Sequence, residues 1–228
     1  MPMFRPRKIV DLSMPIRRGM PVYPGDPQPD LQPAATLDKD GFNVSHLHLG
    51  THTGTHVDAP YHFSEGGARI DSLPLEWFVG TGLIIPVPGK RPRECICLEE
   101  VAPWVERAKP GQLVLFATGW WRKAGEADYV RHPYVEVRVI EALLERGVRV
   151  FGIDAMNIDP TGETDYPVHR AITAAGGIII ENLCNLNAVD FADPVIVVFP
   201  LRIEGADGSP VRAVAMDLGD GGSAVREG

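Results

Sequence analysis

Two periodicities organise this chain. Strict alternation over residues 42–50 puts Asn43, Ser45, Leu47 and Leu49 on one side and Phe42, Val44, His46 and His48 on the other, which predicts a strand. Short apolar runs predict further strands over residues 8–12, 83–87, 112–117, 148–153, 177–180, 195–199 and 211–216. Helical spacing takes over at residues 135–146, where Val139, Ile140, Leu143 and Leu144 form one stripe and Gly147 stands where a C-terminal cap belongs. Residues 98–109 are also helical in pattern, with Pro103 bending the helix or marking a late start, and a further helix is predicted over 169–175. Residues 73–79 suit a single helical turn. Helix and strand alternate through the middle while both ends are strand-rich, so the pattern predicts an α/β fold with a mixed parallel and antiparallel sheet. No internal repeat or linker interrupts it. A single domain is expected over residues 1–228, with a flexible tail from 218 onwards.

Composition narrows the function classes. A chain of 228 residues, 44% hydrophobic, can bury one substantial core. Its formal charge of -8 argues against a nucleic-acid partner, because phosphate binding needs a basic face. No apolar run approaches the roughly 20 residues that cross a bilayer, and the opening Met1 to Arg7 leads into no apolar secretory core. The expectation is a cytoplasmic protein with no membrane partner. Cys95, Cys97 and Cys184 are an odd number without Cys-x-x-Cys spacing, which suggests neither a disulfide framework nor a thiolate zinc site; Cys184 reads as a small core residue.

Chemistry concentrates in one stretch. Of 7 histidines, all but His132 and His169 lie between His46 and His62, and the segment from His52 to Phe63 reads His-Thr-Gly-Thr-His-Val-Asp-Ala-Pro-Tyr-His-Phe. Ligands to one ion, at about 2.0–2.2 Å from it, need Cα atoms within roughly a dozen ångströms of each other. A straight strand would separate His52 from His56 by about 13 Å, so the chain must turn between them. Gly54, free to take positive φ, permits that turn. His56 and Asp58, two apart, then project from one face of an extended segment. Two imidazoles and a carboxylate make a ligand set with open positions, as catalytic metal sites have. His62, returning on the same parity, is more useful as a proton carrier, since its reference pKa lies near neutrality. His46 and His48 are expected to support the site by packing or hydrogen bonding. The stiff loop from Pro21 to Pro27 can present Tyr23 or Asp26 to it, and Trp77, Trp120, Trp121, Tyr23 and Phe63 are candidates for an aromatic-lined pocket.

The motif His-x-Gly-Thr-His-x-Asp-Ala-Pro-x-His-Phe resembles the signature of the cyclase family of metal-dependent hydrolases, which includes kynurenine formamidases and isatin hydrolases. Asp11-Leu12-Ser13, Tyr23 to Pro27, Thr118-Gly119-Trp120 and Gly208 to Arg212 are similar to flanking segments of that family, so nearly the whole chain is covered. The resemblance implies a swivelling β/β/α fold, a homodimer or homotetramer, and one or two divalent ions, zinc or manganese. It carries metal-ligand roles onto His52, His56 and Asp58 and an acid/base role onto His62. It also implies that His169 and Glu181 complete a binuclear centre with Asp58 bridging; from the sequence alone, His169 reads as a surface residue at a helix start and Glu181 as the polar end of an apolar strand. The implied activity is hydrolysis of a small aromatic amide, an aryl formamide such as N-formylkynurenine or alternatively a cyclic amide such as isatin. A cyclase or dehydratase, or a metal-dependent binding protein without turnover, are the rival readings. Ala155-Met156-Asn157 and Asn182-Leu183 depart from the formamidase pattern, so substrate choice is expected to lie there.

Overall fold

The structure, a computed structural model, describes residues 5–219. Thirteen strands succeed one another among the described residues. They are β1 (Lys8–Asp11), β2 (Asp30–Ala35), β3 (Val44–His48), β4 (His56–Asp58), β5 (Val79–Pro86), β6 (Cys95–Ile96) and β7 (Leu113–Ala117). There follow β8 (Tyr134–Val135), β9 (Val150–Ile153), β10 (Ile178–Glu181), β11 (Val195–Val197), β12 (Gly208–Pro210) and β13 (Val214–Asp217). The helices are α1 (Leu37–Asp40), α2 (Leu98–Val105), α3 (Val137–Glu145) and α4 (Pro167–Ala174).

Nine strands form one sheet in the order β1-β13-β11-β5-β7-β9-β10-β4-β12. Its centre, β5 through β10, is parallel, and both flanks are antiparallel. The mixed α/β single domain expected from the pattern is therefore present. The parallel strands are apolar on both faces, as strands covered on both sides must be. Along β7, Val114 and Phe116 enter one core while Leu113 and Leu115 enter the other. The first core holds the apolar stripes of the helices, with Val101 and Val105 of α2, Val139, Ile140 and Leu143 of α3, and Val168 and Ile172 of α4. The second is built from Val10, Val57, Phe78, Ile196 and Ala215 with the opposite faces of the central strands.

Several boundaries depart from the pattern. Strand β5 starts at Val79 because the polar-looking Gly80-Thr81-Gly82 pairs with β11 and opens β7, and Gly82 leaves no room for a side chain beside Ile196. Pro103 lies inside α2, which starts at Leu98, so the proline neither delays the helix nor ends it on the spot. Strand β2, which contains Pro33, has no counterpart among the strands that the pattern predicts; it survives in a two-stranded ribbon with β3, where the register shifts beside that proline. Gly147 caps α3 with φ of 83°, as expected. Of the tail expected to be flexible from 218, residues 220–228 lie outside the described residues.

Candidate metal centre

Strand β4 is the element that gathers the site. It runs between β10 and β12, and its register sets His56 opposite Glu181 and Asp58 opposite Ile179. Alternation buries Val57 in the second core and turns His56 and Asp58 to the other face, beneath α4. Gly54, with φ of 66°, makes the turn that brings His52 back over the strand. His56 Nδ1 donates to the carbonyl of that glycine at 2.8 Å, so its Nε2 is aimed at Asp58 Oδ1, 3.2 Å away, and Glu181 Oε2, 3.7 Å away. His52 Nδ1 meets the same Asp58 Oδ1 at 2.7 Å.

From the opposite side comes α4, begun by Pro167 at a position where a missing N–H costs nothing. Asp159 accepts the amides of Val168 and His169 at 3.0 and 2.9 Å and the His169 ring Nδ1 at 2.7 Å. This leaves His169 Nε2 facing Asp58 Oδ2 at 3.5 Å and Glu181 Oε1 at 3.4 Å. Glu181 is steadied in turn by the Ile158 amide at 2.8 Å.

The electrostatics ask for a cation. Asp58, Glu181, His56 and His169 are all buried, and no lysine or arginine among the described residues lines the cavity of about 200 Å³ beside them. Asp58 Oδ2 is buried with no hydrogen-bond donor, an expensive condition for a carboxylate. With no other positive charge at hand, the imidazoles act as the cations. Burial alone would lower the pKa of His52, but the charge of Asp58 and the hydrogen bonds of Asp207 and Asp58 outweigh it and push it to about 10. His169, disfavoured as a cation by burial, is raised well above its usual value by Asp159, Asp58 and Glu181. Burial likewise opposes ionisation of Asp58, yet the charges of His52 and His56 hold it well below the carboxylate range. Ligand atoms of His52, His56 and Asp58 lie within 4.8 Å of one another, as do those of Asp58, His62 and His169, so the residues present suit a divalent ion.

The structure thus brings His52, His56, Asp58, His62, His169 and Glu181 together. His169 is buried, whereas the sequence alone suggested a surface residue; the packing of α4 against α3, β10 and the turn Pro60–His62 accounts for the difference. Tyr23, Asp26 and Phe63 line the cavity with Met156, Asn157 and Asn182, the positions where the chain departs from the formamidase pattern. His46 and His48 do not support the site: both are exposed on the β2–β3 ribbon. Trp77, Trp120 and Trp121 are absent from the lining, and Trp120 is buried with its indole N–H on the Tyr129 carbonyl. A larger cavity, about 1020 Å³, runs past Thr118, Arg122 and Phe191 and holds none of the clustered histidines. Volume is not what identifies this centre; the donor set is. Two aspartates that hydrogen-bond the histidines of the centre escaped the sequence reading. Asp159 lay in a loop rich in Asp, Pro and Gly, and Asp207 in the turn before β12, where an aspartate ordinarily needs no explanation beyond its backbone preference. Asp207 Oδ2 accepts from His52 Nε2 at 2.9 Å and from His62 Nδ1 at 3.2 Å.

Comparison with known proteins agrees with this fold. The chain is 35% identical over 215 residues to a kynurenine formamidase of Paracidovorax citrulli, covering 93% of this chain and 98% of that protein. A kynurenine formamidase of Salinibacter ruber is 33% identical, with 93% and 99% covered. Among solved structures, isatin hydrolase A from Labrenzia aggregata, bound to benzyl benzoate, superposes with a TM-score of 0.84 at 27% identity, covering 93% of this chain and 94% of that one. A potential metal-dependent hydrolase with cyclase activity superposes with a TM-score of 0.76 at 30% identity, with 92% and 98% covered. The family model described as putative cyclase matches residues 10–160, from β1 through the histidine motif to the loop that carries Asp159, and the chain belongs to that family.

Proposed function

We propose that this protein is a metal-dependent amidohydrolase whose substrate is a small aryl formamide of the N-formylkynurenine type. The observation that carries the reading is the convergence of His52, His56 and His169 on the buried carboxylate of Asp58, whose Oδ2 lacks a hydrogen bond, with Glu181 against His56 and His169 and with His62 beside them at the cavity. In this reading His52, His56, Asp58, His169 and Glu181 would hold one or two divalent ions, zinc or manganese. Bound there, the metal supplies positive charge that polarises an amide carbonyl and acidifies water.

The chain's own groups do the rest. His62 Nδ1 is engaged by Asp207, which leaves Nε2 to take a proton from the attacking water and return it to the departing nitrogen. That return matters because an amine anion is a poor leaving group. Phe63, Tyr23 and Tyr166 border the cavity, with the Tyr23 and Tyr166 hydroxyls joined at 2.9 Å, so an aromatic substrate meets aromatic walls. Hydrolysis of a ring amide such as isatin is the second reading; the fold match to isatin hydrolase A and the altered lining at Met156, Asn157 and Asn182 favour it. We further place the protein in the cytoplasm as a homodimer or homotetramer. In support, the three cysteines are free, no helix among the described residues is long and apolar enough to cross a membrane, and the β2–β3 ribbon exposes apolar side chains.

The test is direct. Purified protein is assayed against N-formylkynurenine and isatin after chelation and after reloading with zinc or manganese. Activity is expected to vanish with the chelator and to return with metal, and His62→Ala is expected to keep its metal while losing at least about 100-fold in kcat. Full activity of that variant at neutral pH would remove His62 from the mechanism; activity that survives complete metal removal would overturn the metal-dependent reading.

A further inference from the structure

Asp207 Oδ2 stands between a residue assigned to the metal and the residue assigned to the proton. His52 Nε2 and His62 Nδ1 both donate to that one oxygen, at 2.9 and 3.2 Å, and the two rings lie with centroids 4.1 Å apart. The backbone beneath is held with equal care. Ala59 donates its amide to the Asp207 carbonyl at 2.8 Å, and the next residue, Gly208, pairs with Asp58 in the β4–β12 register. A Cβ at Gly208 would come within 2.9 Å of His52 Cε1, so the glycine is what lets that ring lie against this turn.

A neutral imidazole carries one N–H, and the group accepting it decides which nitrogen is left as a base or ligand. By accepting from Nε2 of His52, Asp207 frees Nδ1 on the side of Asp58. Its hold on Nδ1 of His62 frees Nε2 instead. We propose that Asp207 is a positioning residue that sets the tautomer of both imidazoles, coupling the metal ligand His52 to the proton carrier His62 through one carboxylate. The inference rests on the hydrolase reading above for the two roles that it couples. A carboxylate behind a ligating histidine also raises its basicity, and losing such a partner typically costs about 10–100-fold in metal affinity or activity.

The experiment compares wild type with Asp207→Asn and Asp207→Ala in the full chain loaded with zinc, each checked for an intact melting transition. Both variants are expected to hold as many zinc ions per chain as wild type, but about 10–100-fold more weakly in chelator competition. With whichever amide the wild type hydrolyses, kcat is expected to fall by a similar factor while KM stays within about twofold. The kcat loss should shrink in a His62→Ala background while the zinc affinity loss persists, because the two effects run through different rings. Ring ¹⁵N spectra of the zinc-loaded wild type are expected to show His62 protonated at Nδ1, and those of the variants to lose that preference. His52, His62 and Asp207 also offer three ligand atoms within 4.8 Å, so the loss of one ion per chain on substitution would make Asp207 a ligand and overturn the proposal. Unchanged zinc affinity with an unchanged His62 tautomer would overturn it as well. If the wild type hydrolyses no amide at all, the hydrolase reading fails by itself, while zinc affinity and the ¹⁵N spectra still decide the role of Asp207.

Discussion

At position 208 a single hydrogen decides whether the centre can form. A methyl group there would sit 2.8 Å from the Val57 carbonyl oxygen and 2.9 Å from the His52 ring, contacts that neither a strand backbone nor a hydrogen-bonded imidazole can yield cheaply. Gly208→Ala is expected to destabilise the fold by about 1–3 kcal/mol, as overpacking does, and to weaken zinc binding as His52 is pushed from Asp58. Gly66→Ala, where nothing lies within 4 Å, serves as the control and is expected to bind zinc like the wild type. Chemical denaturation and chelator competition read the two effects; a Gly208→Ala protein that matched the control would mean that β12 can move aside. The same scale explains what was legible in advance. His52, Gly54, His56 and Asp58 are close neighbours in the chain, and turn geometry and strand parity alone assign them to one ion. His52 and Asp207 are 155 residues apart, and no spacing rule reaches across that distance.

Strands and helices were legible where burial wrote an apolar pattern and hidden where it did not. The central strands and α3 carry their cores in the sequence, while β2, with its proline, and β12, reading Gly-Ser-Pro, look like loop. The β2–β3 ribbon is the element least accounted for by the fold itself. All five residues of β3 are exposed, and Leu37, Phe42, Val44 and Leu47 stay 62%, 56%, 47% and 54% accessible. Two strands alone are marginal in water, and apolar side chains left exposed on both sides of such a ribbon point to an interaction surface. With a second copy as the occupant, Phe42→Asp combined with Leu47→Asp is expected to convert the proposed oligomer to monomers in light scattering behind a sizing column. An unchanged mass would exclude the ribbon from the interface. His46 and His48 belong to this ribbon, which is why their parity with His52 along the chain did not bring them to the centre.

Taken whole, the molecule uses an antiparallel edge to complete what its parallel centre begins. Parallel β9 and β10 deliver Glu181 and, through the following loop and α4, Asp159 and His169; antiparallel β4 and β12 bring the histidine motif and Asp207 to the same face. The result is a set of carboxylates balanced, without metal, only by protons on imidazole, and that balance has a pH signature. Asp58 and Asp207 are held below the ordinary carboxylate value of 3.8, Asp207 chiefly by its hydrogen bonds from His52 and His62, so the stability they lend is present above that value and is lost as the pH falls through their folded pKa. His52 and His169 are raised above 6.5, so theirs is fully present below 6.5 and is lost as the pH rises, for His52 towards about 10. Metal-stripped protein is therefore expected to melt highest between about pH 4 and 6.5 and progressively lower on the alkaline side. Zinc replaces those protons, and so its stabilisation should run the other way, negligible in acid and growing as the imidazoles lose their protons to it. Melting curves recorded at matched ionic strength from pH 4 to 10, with chelator and with zinc, should cross from coincident to widely separated as the pH increases. A metal-stripped protein whose melting temperature stays flat from neutrality to pH 10 would show that the imidazolium–carboxylate cluster does not hold the empty centre together.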